Sequence, residues 1–126
     1  RPALTIYGED YPTRDGTCVR DYVHVMDLVD AHLLGLEWLA DGKPSRVFNL
    51  GTGTGYSVRE VVAHSGEVTN KPVPVITGPR RAGDAASLVS GSQRAIEELG
   101  WKPARSTLSQ MIGDAWRWHQ NGQYQN

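Results

Sequence analysis

The chain has little cysteine, no long apolar run and no block of basic residues, and each shortage closes off a class of protein. Cys18 is the one cysteine in 126 residues, so no disulfide can staple the chain internally, and a free thiol fits a reducing, cytoplasmic compartment. No apolar run nears the roughly 20 residues that cross a bilayer, and no charged-then-apolar leader opens the chain. A soluble protein with no membrane partner is expected. A formal charge of -1, without a lysine-arginine cluster, leaves no general footprint for nucleic acid or anionic lipid. The four histidines, His24, His32, His64 and His119, do not stand with cysteine or carboxylates at ligand spacing, so no metal site is expected. Nor can a serine, histidine and acid triad be assembled from spacing, since such triads are recognised by geometry.

What is present is ordinary globular material. At 39% hydrophobic and 21% charged, the chain can fill one core and one domain. It opens at Arg1-Pro2-Ala3-Leu4 with a strand pattern almost at once, as expected of a piece of something longer. Strands are predicted over Leu4–Tyr7, Tyr22–Val25, Arg46–Leu50 and Pro72–Ile76. Helices are predicted over Leu28–Ala40 with Asp27 as its cap, from Val58 to about Ser65, from Ser92 to Leu99 with Gly100 as its stop, and over Leu108–His119. Ser57 and Glu60 have the spacing of a capping box. The last helix has one apolar face, expected to cover a sheet. The Leu28–Ala40 helix is apolar nearly all round and calls for burial on several sides, by a missing domain, a second copy or a central place in the core. The fold class is therefore α/β, with short strands and flanking helices.

Three segments invite chemistry. In the run from Asp10 to Leu28, Pro12, Gly16, Asp10 and Asp15 mark a loop that leads into a strand, with Arg20 at the entry. A guanidinium there can present its fork of donors to a phosphate, or form a salt bridge to Asp15 or Asp21. Gly51-Thr52-Gly53-Thr54-Gly55 follows a predicted strand, but Tyr56 fills the third glycine position of a dinucleotide fingerprint and Lys71 stands where an acid should hold a ribose. A tight strand-to-helix turn explains those glycines. In Gly78-Pro79-Arg80-Arg81-Ala82-Gly83-Asp84, adjacent arginines could clamp a diphosphate while the aspartate accepts from sugar hydroxyls; otherwise the segment is a solvated loop.

Several motifs in register resemble the UDP-glucose 4-epimerase family of extended short-chain dehydrogenases. They are Leu4-Thr5-Ile6-Tyr7-Gly8, the Asp10–Leu28 run, Phe48-Asn49-Leu50-Gly51-Thr52-Gly53, Ser57-Val58, Pro79-Arg80-Arg81-Ala82-Gly83-Asp84, Leu99-Gly100-Trp101 and Ala115-Trp116-Arg117-Trp118-His119. The resemblance implies a UDP-sugar-binding carboxy-terminal domain over residues 1–126, with the amino-terminal NAD-binding Rossmann domain as its missing partner. In that family NAD withdraws hydride from C4 of the sugar, the 4-keto sugar turns over, and the hydride returns to the other face. The UDP must then carry the binding. The resemblance assigns UDP or sugar contacts to Thr5, Tyr7, Arg20, Tyr22, Val58, Arg81, Asp84 and Leu88, with Arg20 and Arg81 on the diphosphate, Asp84 on the ribose and Leu88 lining the sugar pocket. Ala86 and Ser90-Gly91 depart from the family pattern, so the loop after Asp84 is expected to be set differently. No Tyr-x-x-x-Lys pair is present: Leu39, Glu67 and Glu98 lie four before Lys43, Lys71 and Lys102. The chain alone is expected to bind no NAD, to contribute no catalytic residue and to epimerise nothing. The competing expectations are a non-catalytic binding or interaction module, self-associating through apolar surface, and the same half of another NAD-linked UDP-sugar epimerase or dehydratase.

Overall fold

The structure, a computed structural model, describes residues 2–122. In chain order it contains β1 (Leu4–Tyr7), β2 (Val19–Asp21), α1 (Val25–Ala40), β3 (Gly55–Ser57), α2 (Val58–Thr69), β4 (Val75–Gly78), β5 (Ser87–Leu88), α3 (Gln93–Leu99) and α4 (Leu108–Asn121). The expected α/β class holds. β1 and β4 pair in parallel, Leu4 opposite Val75 and Tyr7 opposite Gly78. A second small sheet runs β3-β2-β5, antiparallel on one side of β2 and parallel on the other.

The local signals that set helix ends act as anticipated at the start of α2 and the end of α3. Ser57 accepts from the Glu60 N–H while the Glu60 carboxylate accepts from the Ser57 N–H, closing the capping box at α2. Gly100 ends α3 in the left-handed region at φ 69°. Ser92 stands at the α3 N-cap but makes no capping bond, because its hydroxyl donates to the Gly51 carbonyl.

Besides a longer α2, which runs to Thr69 rather than about Ser65, and a β4 that spans Val75–Gly78 rather than Pro72–Ile76, three elements differ from the sequence pattern. The strand after the long loop ends at Asp21, and α1 starts at Val25, inside the expected strand. The His24 ring is the cap: its Nδ1 accepts from the Met26 N–H at 3.0 Å, so Nε2 carries the proton toward Asp114 at 3.1 Å. Asp27, expected as the cap, lies fully buried in the first turn. Residues 46–50 form no strand, because among the described residues no other strand lies beside them to share a ladder, and Val47 is 77% exposed. Finally, α4 packs on α2 rather than on a sheet; Gly113 faces Val68, and the Lys71 ammonium sits 5.0 Å from the Trp116 ring.

The core forms where α1 meets α3. Ala31, Ala95 and Trp101 are its buried centre, with Val23, Leu34, Phe48, Leu50 and Leu99 against it. The Trp101 indole N–H donates to the Asp27 carbonyl at 2.7 Å, which ties the segment after α3 to the start of α1. The opposite side of α1 stays open: Val25, Met26, Val29, Leu33, Leu36 and Leu39 are all exposed. Among the described residues no helix is long and apolar enough to cross a membrane.

Candidate functional site

β1 and the parallel β4 deliver their carboxy ends side by side, so Tyr7 and the arginine loop that follows Gly78 meet at one edge. Thr5 lies one step back, its methyl against Gly78. The Arg81 guanidinium stands 4.9 Å from the centre of the Tyr7 ring and donates from Nε to Asp84 at 2.9 Å. That pairing holds the Arg81 pKa above its usual range. β2 approaches Asp84 from the other side. Arg20 donates from Nη1 to the carbonyls of Val19 and Ala85, both at 2.8 Å, which leaves Nη2 3.8 Å from the Asp84 carboxylate. Asp84 thus lies between two guanidiniums drawn from distant parts of the chain. Its side chain is only 20% exposed, whereas Arg81 is 62% exposed and open to a ligand.

The remaining candidates are tied to β2 or its immediate neighbours rather than to the Asp84 carboxylate. Leu88 is opposite Arg20 in the parallel β2–β5 register and is exposed. Tyr22 follows β2; burial pushes its phenol pKa up, with the Arg20 charge opposing. Val58 opens α2, and its N–H donates to the Cys18 carbonyl at 3.0 Å.

Neither Asp15 nor Asp21, the two aspartates near Arg20 in sequence, is its partner. Asp15 accepts instead from the N–H and hydroxyl of Thr17 and from the Ser57 hydroxyl, joining the long loop to the start of α2. Asp21 accepts from the N–H groups of Thr52, Gly53 and Ser90 and from the Thr52 hydroxyl. A side chain at Gly51 would put its Cβ 2.5 Å from the Ser90 carbonyl, so only glycine admits this close crossing.

The Asp21 contacts also decide what the glycine-rich turn can do. The Thr52 and Gly53 amides, which a pyrophosphate would need, are already filled by a carboxylate of the chain itself. The described residues therefore do not fit NAD at this turn. Burial pushes the Asp21 pKa up, but its hydrogen bonds outweigh that and hold it below the usual carboxylate range. A folded-state pKa below the unfolded one contributes stability that is present above about pH 4 and fades as pH falls through the lowered value. Asp21→Asn is expected to cost about 2 kcal/mol at pH 7 and markedly less at pH 3, read from urea denaturation at both pH values.

Among the described residues, no group of three histidine, cysteine or acidic side chains has metal-binding geometry. Sequence reasoning missed Asp10 and Tyr11, which take up Arg80. Arg80 donates from Nε to Asp10 at 2.6 Å and stacks 4.3 Å from the centre of the Tyr11 ring. The two adjacent arginines therefore do different work, and only Arg81 faces the Asp84 cluster.

Comparison with known proteins gives this geometry a family. Residues 1–114 match the family model described as GDP-mannose 4,6 dehydratase. The chain belongs to that family. Within it, the chain is 49% identical over 121 residues to a UDP-glucose 4-epimerase of Lacticaseibacillus casei, a match covering 96% of the chain and 37% of the relative. A crystal structure of a UDP-glucose 4-epimerase superposes with a TM-score of 0.92 at 51% identity, covering 97% of this chain and 37% of that one. A UDP-glucose 4-epimerase from Stenotrophomonas maltophila, solved with NAD and formylated UDP-arabinopyranose, gives a TM-score of 0.90 at 44% identity, over 95% and 35%. The chain thus spans little more than a third of the length of the relatives it matches.

Proposed function

We propose that residues 1–126 are the UDP-sugar-binding carboxy-terminal domain of an NAD-dependent UDP-glucose/UDP-galactose 4-epimerase, an isomerase. The observation that carries this reading is the Asp84 carboxylate bracketed by Arg20 and Arg81. A diphosphate offers a guanidinium the same forked oxygen geometry as a carboxylate, with more charge. On this reading the diphosphate takes the place of Asp84 on Arg81, with Arg20 behind it. Asp84, relieved of Arg81, accepts from the ribose hydroxyls. Thr5, Tyr7, Tyr22 and Val58 complete the hold on UDP, and Leu88 faces the sugar end. Gripping the nucleotide and not the sugar leaves a 4-keto sugar free to rotate.

NAD and the catalytic Tyr-x-x-x-Lys pair would belong to the rest of the longer enzyme. The exposed apolar side of α1 and the unpaired stretch 46–50 support a missing amino-terminal Rossmann half, since both are surfaces that a neighbouring domain would cover. The purified chain with added NAD is expected to convert no UDP-galactose. Measurable formation of UDP-glucose overturns that assignment, and competition among UDP-sugars separates this enzyme from another NAD-linked UDP-sugar epimerase or dehydratase.

The same open side of α1 favours a second reading, a self-associating interaction module without catalysis. Sedimentation equilibrium tests it: a monomer across the accessible concentration range rules it out.

A further inference from the structure

We propose that Arg80 is a positioning residue, a latch that holds the arginine loop so that Arg81 and Asp84 keep their places; this rests on the UDP-binding reading of those two residues. Of two adjacent arginines, sequence alone gives both to a diphosphate. The structure separates them. The Arg80 Nε and Nη2 are both spent on Asp10, one on its carboxylate at 2.6 Å and the other on its carbonyl. Its guanidinium carbon lies over the Tyr11 ring. Tyr11 is only 5% exposed and so gives a fixed platform, while its hydroxyl, buried without a geometric hydrogen-bond partner among the described residues, makes no bond to Arg80 or Asp10.

Gly8 makes the stack fit. A Cβ there would come 2.5 Å from the Tyr11 ring and 2.8 Å from Arg80 Cγ, and its φ of 84° is one that other residues resist. The Gly8 N–H donates to the Gly78 carbonyl at 2.9 Å, extending the β1–β4 pairing into both loops. Two guanidinium-on-ring stacks, Arg80 on Tyr11 and Arg81 on Tyr7, thus pin one loop onto the end of β1. Breaking the first frees the loop to move and Arg81 to leave Asp84.

The test reads loop order and ligand binding separately. The Asp84 N–H donates to the Arg81 carbonyl at 3.3 Å, so its hydrogen exchange reports the loop without any ligand. Arg80→Ala is expected to speed that exchange about tenfold and weaken UDP binding about tenfold, the combined size of a partly buried cation–π stack and an exposed ion pair. Tyr11→Phe, which keeps the ring, should leave both unchanged. Because the latch acts through Arg81, Arg80→Ala should cost little further UDP affinity in an Arg81→Ala background. Unchanged exchange at Asp84 in Arg80→Ala, or in the uncharged Arg80→Met should the alanine variant fail to fold, overturns the latch. Losses that add across the two arginines overturn it in favour of direct phosphate contact. Failure of the unmodified chain to bind UDP would count against the functional reading instead, and the exchange result would still decide the latch.

Discussion

Asp27→Ala is expected to destabilise the chain by about 3–4 kcal/mol. The carboxylate is fully buried and accepts from the Arg105 N–H at 3.0 Å, from the Ser106 hydroxyl at 2.6 Å and from the Arg105 guanidinium at 3.3 Å. Alanine leaves the Arg105 amide and the Ser106 hydroxyl without an acceptor, at about 1–3 kcal/mol for each buried group. The Arg105 charge suffers less, since it is partly exposed and keeps Asp30 at 2.7 Å. Ser106 in turn accepts from the His24 N–H at 2.8 Å, so the loss reaches the capped start of α1. A small domain holds only about 5–15 kcal/mol in total, so the variant should melt well below the parent in a thermal scan. Asp27→Asn keeps one acceptor and should fall between them. A midpoint equal to that of the parent would mean that the Asp27 network adds no net stability.

Arg81→Ala is expected to weaken UDP binding by about 2 kcal/mol, roughly thirtyfold. Removing one side of a desolvated ionic contact costs about 2–5 kcal/mol, and the openness of Arg81 puts it at the lower end. Arg81→Lys keeps the charge but loses the fork and should lose less. The melting temperature should barely move, because exposed ion pairs contribute about 0–1 kcal/mol. Calorimetric titration with UDP, alongside thermal unfolding, separates a lost ligand contact from a lost fold. Added salt should narrow the gap between parent and variant, since screening weakens the contact that the variant lacks.

What could be read from the sequence was what local chemistry decides. β1, the Ser57–Glu60 capping box, the Gly100 stop and α4 each depend on neighbours a few residues away, and all lie where the pattern put them. Long-range partners stayed hidden. Arg20 passed over the adjacent Asp21 for Asp84, because the strand places its side chain toward β5 while Asp21 turns to the 51–55 segment. Histidine is an uncommon cap, so the pattern points to Asp27 as the cap and to Leu28 as the start of α1, three residues beyond the true start, whereas Asp27 is buried in the first turn. Residues 46–50 have the composition of a strand but no ladder to join among the described residues. Of the predicted ligand residues, Arg20, Arg81 and Asp84 converge, with Tyr7 against Arg81; Leu88 lies opposite Arg20 on β5, and Val58 at the start of α2 bonds to the Cys18 carbonyl.

The most direct test of the UDP-binding claim is titration of the isotopically labelled chain with UDP, followed by NMR. Shifts concentrated at Tyr7, Arg20, Arg81 and Asp84 are the predicted result. A spectrum that stays unmoved, or shifts confined to the apolar groove of Leu36, Trp38 and Phe48, would contradict it.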